Sequence, residues 1–179
     1  MSGPSDRYRE LVGRVDAFFA RVRARHPGEL ACASGCDSCC HVRPGVTGVE
    51  ADVVRAFLSA LAPPDRDRLV ARARGARGDR CAALDEAGRC AIYAARPLVC
   101  RSHGLPIRTR DARSLPVVSS CHLNFVARGP AAADADCILD QETLSTVLFA
   151  IDAARAGESG AAAGGREDLA AVIRDAGAR

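Results

Sequence analysis

The segment Cys32-Ala-Ser-Gly-Cys36-Asp-Ser-Cys39-Cys40 puts four thiols into nine residues. Unliganded, such a group is an oxidation liability; a bound cation lowers the thiol pKa values and holds the sulfurs as thiolates. In a helix, offsets of four, seven and eight residues would bring all four sulfurs onto a stripe about 100° wide, aimed at one point. In a loop, adjacent Cys39 and Cys40 would face different ways and serve separate ions or different edges of one cluster. Two competing readings are weaker. Buried Cys can act as a small apolar residue, and disulfides are disfavoured because vicinal cysteines pair poorly and a reducing compartment is expected.

A second group follows at Cys81, Cys90, Cys100 and Cys121. In Cys90-Ala-Ile-Tyr-Ala-Ala-Arg-Pro97-Leu-Val-Cys100-Arg101, the proline starts a turn that puts Cys100 beside Arg101, whose charge is expected to offset an anionic thiolate centre. The eight sulfurs suffice for two tetrahedral zinc ions of four cysteines each, or for an iron-sulfur cluster with ligands to spare. His41, His103 and His122 lie close to cysteines and are expected to hydrogen-bond near the sulfurs more readily than to ligate. His26 reads as a helix C-terminal residue. The ninth cysteine, Cys137, reads as a buried free thiol.

Composition narrows the chemistry. All 25 basic side chains are Arg, which removes Schiff-base, P-loop lysine and lysine-base mechanisms. A net charge of +3, with Arg interleaved among Asp and Glu, leaves no nucleic-acid footprint. The arginine-rich stretch 66–80 is diluted by Asp67 and Asp79 and reads as a solvated helix. No apolar window approaches a membrane span, and Met1 to Glu10 lacks a signal-peptide core, so a reducing, cytoplasmic setting is expected.

The elements that must position these thiols read as mainly helical. Tyr8, Leu11, Val12, Val15, Phe18, Phe19 and Val22 predict a helix from about Ser5 to Arg25, closed by Pro27 and Gly28. Thr47 and Glu50 form a capping box for a second helix towards Leu61. Pro63 and Pro64 end it, and a third helix is expected over 65–74. Residues 81–93 read as a short β-hairpin around Gly88, and residues 104–120 as extended segments or loops packed over the site. Leu144, Val147, Leu148 and Ile151 predict a helix within 138–156. The chain thus reads as one small domain over residues 1–156, core motif 32–121. Residues 157–179 are expected to hold a flexible Gly/Ala linker, 157–165, and a short helix near Leu169 to Arg174.

Cys32 to Cys40, the later Cys81, the Cys90-x-Ile-Tyr-x-x-Arg-Pro-x-x-Cys100-Arg101 stretch and Cys121 together resemble the YkgJ-type cysteine-cluster family, described as a zinc- or iron-chelating domain. The resemblance spans roughly half the chain, from Cys32 to Cys121. It implies metal chelation by Cys32, Cys36, Cys39, Cys40, Cys81, Cys90, Cys100 and Cys121, and it carries no general enzymatic activity.

Three functions compete. The first is a zinc- or iron-binding protein with a structural, sensory or metal-handling role, and with a protein partner as one form of that role. The second is an iron-sulfur protein with redox or enzymatic activity, because Cys32, Cys36 and Cys39 reproduce the C-x3-C-x2-C spacing by which radical S-adenosylmethionine enzymes bind a 4Fe-4S cluster. Against that enzyme class, Ser38 stands where an aromatic is usual and the chain is too short for a full barrel. The third is thiol chemistry, with Cys39 and Cys40 as a redox or metal-relay pair. No catalytic residue emerges from any of them.

Overall fold

The computed structural model describes residues 3–161 and 164–178. Six helices dominate: α1 (Pro4–Arg25), α2 (Gly48–Ala60), α3 (Pro63–Gly75), α4 (Leu98–Ser102), α5 (Gln141–Ser159) and α6 (Leu169–Asp175). The strands are short: β1 (Gly45–Val46), β2 (Ile107–Arg110), β3 (Pro116–Ser119), β4 (Leu139–Asp140) and β5 (Glu167–Asp168). The mainly α reading holds.

Helix α1 has the expected stripe. Tyr8, Leu11 and Val15 are buried on one face and pack against α4 and α5, while Val22 is buried near the end of the helix; each aliphatic side chain contributes about 1.5–3 kcal/mol of apolar burial. Tyr8, Leu11, Val49, Leu98, Leu144, Leu148 and Ile151 form one core between α1, α2, α4 and α5. Val54, Leu58, Leu69, Val172 and Ile173 form another between α2, α3 and α6. The last helix is therefore a packing element, and β1 pairs antiparallel with β5 just before it, Gly45 opposite Asp168. Smaller clusters of Val22, Leu105, Phe125, Ala133 and Cys137 fill the end of α1.

Several boundaries differ from expectation. Pro63 and Pro64 not only end α2 but occupy the first helical positions of α3, where a missing N–H costs nothing. Helix α5 runs on through Gly157 and Glu158 to Ser159, and Gly160 at φ +69° closes it in the left-handed conformation. The expected linker is thus shorter at its start, and its residues 162 and 163 lie outside the described residues. The hairpin expected at 81–93 is reduced to a single bridge, Leu84 opposite Cys90. The full hairpin is β2–β3, with Ile107 opposite Ser119 and Arg110 opposite Pro116, and β4 adds to β2 in parallel. None of residues 107–119 lines either of the cysteine cavities described below. No helix among the described residues is long and apolar enough to cross a membrane.

Candidate metal centre

The cysteine segment is held as a loop from both ends. Arg23 of α1 donates to the Cys32 carbonyl. Residues 33–36 then turn, with the Cys36 N–H on the Ala33 carbonyl at 3.1 Å and Gly35 at φ +88°. Only Ser38–Cys40 is helical, as one 3₁₀ turn. The helical stripe of four sulfurs is therefore absent and the loop alternative holds: a left-handed residue at Gly35 breaks any helix before Cys36. Cys40 and Cys81 are joined directly, since the Cys81 N–H donates to the Cys40 carbonyl at 2.8 Å. Beyond it, Asp85 Oδ1 accepts from the N–H groups of Ala87 and Arg89, folding the turn that returns the chain to Cys90. Pro97 starts α4, whose third residue is Cys100.

Two adjoining cavities result. The larger, about 610 Å³, is lined by Cys39, Cys40, Cys81, Cys100, His103 and His122 along with the apolar Leu98, Leu144 and Leu148. The smaller, about 420 Å³, is lined by Cys32, Cys36, Cys39, Cys100 and His103 with Arg23 and Arg96. Cys39, Cys100 and His103 belong to both walls. Cys90 and Cys121 line neither, yet Cys81 and Cys39 are near enough to Cys90, and Cys121 near enough to Cys32, to help raise the Cys90 and Cys32 thiols. All nine cysteines are free thiols. The eight sulfurs share neighbourhoods without closing on a point, because no three of them lie within 4.8 Å of one another.

The electrostatics separate the thiols. Cys39 is lowered, chiefly because the Cys40 thiol hydrogen-bonds to it and secondarily because of the charge of His103; the same bond is the first cause that raises Cys40. Burial raises Cys81 and Cys90, the latter opposed by Arg96. Burial also raises Cys32. Cys100 is raised first by atoms packed around its sulfur, then by the thiols of Cys81, Cys90 and Cys39; the residue as a whole is exposed, so solvent moderates that shift.

Arg101 does not serve the thiols. Its guanidinium donates to Asp16 Oδ2 at 2.7 Å, the Ala94 carbonyl at 2.6 Å and the Arg96 carbonyl at 3.1 Å. A cation so fully engaged clamps the turn before α4 onto α1. Arg96, stacked on Tyr93 at 3.8 Å, is the cation that acts on Cys90. The histidines divide: His41 is exposed and 3.7 Å from Asp37, His122 Nε2 is 3.5 Å from the Ser38 hydroxyl, and His103 faces both cavities. His26 caps α1, and Cys137 is buried and free, both as expected.

Sequence reasoning missed two residues here. Buried Asn124 donates from Nδ2 to Cys32 Sγ at 3.3 Å and to the Gly104 carbonyl at 2.7 Å, while its Oδ1 accepts from the Ala31 N–H at 2.8 Å. Gly104, at φ +98°, has no room for a side chain, since a Cβ would lie 2.7 Å from Cys32 Sγ and 2.8 Å from Asn124 Nδ2. Position next to the His103 pair was the only available signal for Gly104, and Asn124 had none.

The donor set suits a soft or borderline cation. Thiols and imidazoles line the cavities, and the lining carboxylates are already engaged: Glu50 by the Thr47 N–H and hydroxyl and by the Leu98 N–H, and Asp16, on the smaller cavity, by the Arg101 guanidinium. Hard cations such as Mg²⁺ and Ca²⁺ need oxygen ligands that this wall does not offer. No curated protein and no solved structure matches the chain. A family model does, over residues 31–122, and its description reads "Putative zinc- or iron-chelating domain". That span is just over half of the chain and holds all eight clustered cysteines, so the chain belongs to the CxxCxxCC family of zinc- or iron-chelating domains.

Proposed function

We propose that this protein binds zinc or iron through two neighbouring sets of thiolates and serves in metal handling or metal sensing. One set is Cys32, Cys36, Cys39 and Cys121; the other is Cys40, Cys81, Cys90 and Cys100. The observation that carries this reading is the shared wall: Cys39 and Cys100 line both cavities, while the Cys81 to Cys40 backbone bond ties the late cysteines to the early ones. A handling or sensing role fits better than a purely structural one because the thiols are half-buried or exposed along open cavities, where ions exchange with solvent or with a partner protein. His103 stands as a further ligand or a hydrogen-bond donor to the sulfurs. Elemental analysis of protein purified without oxygen tests the reading. Two zinc or iron ions per chain are expected on these thiolates, with one or both lost in Cys81→Ser; a wild-type chain free of both metals, or a metal content that Cys81→Ser leaves unchanged, overturns it.

A second reading, an iron-sulfur centre, is favoured by the gathering of Cys32, Cys36 and Cys39 on one cavity. The described residues form no barrel, which separates them from radical S-adenosylmethionine enzymes and leaves electron transfer as the chemistry. Brown protein with visible absorption and a paramagnetic signal on reduction would favour this reading, and a colourless zinc protein would exclude it.

A further inference from the structure

The apolar cluster that closes the end of α1 contains chemistry an apolar core does not need. His26 is 5% exposed and Cys137 0%, and they meet the exposed Asp134, with one ligand atom from each lying within 4.8 Å of the others. We propose that His26 Nε2, Cys137 Sγ and an Asp134 carboxylate oxygen form an additional metal site, separate from the cysteine cavities and selective for zinc.

The local structure explains the convergence. Residues 135–137 form a 3₁₀ turn closed by the Cys137 N–H on the Asp134 carbonyl at 2.8 Å. Side chains three residues apart eclipse in such a turn, so Asp134 and Cys137 share a side. Helix α1 delivers His26 as its cap, and the ring is fixed edge-to-face on Phe125, centroids 5.4 Å apart. The Asp134 N–H faces His26 Nε2 at 3.5 Å, so Nε2 carries the lone pair through which imidazole ligates, and a bound zinc replaces this long contact. His26 Nε2 and Asp134 Oδ2 are 3.8 Å apart. A nitrogen and an oxygen ligand of one tetrahedral zinc, each about 2.0–2.2 Å from it, sit about 3.3–3.6 Å apart, so that pair needs to close by only a few tenths of an ångström.

The donor set of one sulfur, one nitrogen and one oxygen selects zinc over oxygen-seeking cations. Water supplies the fourth ligand on the exposed side of Asp134, and Cys137 gives up its proton on binding. Arg25 competes for Asp134 Oδ2 at 3.3 Å, but it is closer to Asp136, at 2.9 Å, and keeps that partner. None of the three ligands lines either cysteine cavity, and all lie outside residues 31–122.

The test uses the full chain, purified without oxygen and loaded with Zn²⁺ alone. Cys137→Ala is expected to hold one zinc fewer than the parent while retaining the zinc of the cysteine cavities. Asp134→Asn, at an exposed position that leaves the core intact, is expected to weaken that one zinc at least tenfold. Anomalous density at the zinc edge should sit between His26 and Cys137. Asp134→Asn that binds zinc as the parent does, or no density at this position in loaded crystals, overturns the proposal even if Cys137→Ala fails to fold.

Discussion

At Gly104 the backbone turns close against the Cys32 thiol and its donor Asn124: the Gly104 carbonyl accepts from Asn124 Nδ2 at 2.7 Å, and a Cβ would lie 2.7 Å from Cys32 Sγ. Gly104→Ala adds a methyl group against Cys32 Sγ and forces a left-handed alanine, and we expect a loss of about 2 kcal/mol or more in stability. Asn124→Ala removes the donor to Cys32 without backbone strain and is expected to cost 10–100-fold in metal affinity, as loss of outer-sphere support typically does. Denaturation measures the first and competition with a chelator of known affinity the second; unchanged stability in Gly104→Ala and unchanged affinity in Asn124→Ala would remove both residues from the site. The buried thiols add a pH dependence. Cys81 and Cys90 are raised above the ordinary 9.0 by burial, so as pH climbs past that value the unfolded chain loses these protons first while the folded metal-free chain keeps them. Stability of the metal-free chain therefore falls between about pH 8 and about pH 10, whereas the loaded protein, whose ligands are already thiolates, shows no such fall. Urea denaturation of both forms at the two pH values measures this; equal stability of the metal-free chain at both contradicts it.

Among the elements, Glu50 does the most to seat Cys100. Its carboxylate caps α2 through the Thr47 N–H and hydroxyl and reaches across to the first N–H of α4, at Leu98, two residues before Cys100. Glu50→Ala would leave the buried Thr47 and Leu98 N–H groups unpaired, and is expected to cost about 2–4 kcal/mol and to reduce metal content, read by denaturation and elemental analysis. Full stability and full metal content in that variant would disprove the link. The capping box itself was legible in Thr47 and Glu50, because its spacing is local, and so was α1, because seven apolar residues recur at helical spacing. The second bond of Glu50 was not legible, since it joins residues separated by most of the cysteine segment. The same limit hid Asn124, a lone Asn whose partners Ala31 and Cys32 are far away in the chain. Cysteine spacing alone left helix and loop equally open for 32–40. The left-handed turn at Gly35 decides between them. Short paired strands such as β1 and β5, two residues each, carry no periodicity to read.

For the molecule as a whole, three apolar clusters hold the helices as a frame around the cysteine loop, and the frame is closed by α6, which packs on α2 and α3 and pins the residues after Cys40 through β1 and β5. The loop carries little regular structure of its own, so its geometry is set by this frame, by the Cys81 to Cys40 backbone bond and by whatever the sulfurs bind. Every cysteine is a free thiol, and Cys32, Cys36, Cys39 and Cys40 share the two adjoining cavities with Cys81 and Cys100. Anomalous diffraction from crystals grown without oxygen, collected at the zinc and iron edges, tests that arrangement most directly. The account predicts metal within bonding distance of sulfurs from before residue 41 and from after residue 80 in the same site. Metal held by one stretch alone, or cystines joining these sulfurs in pairs, would contradict it.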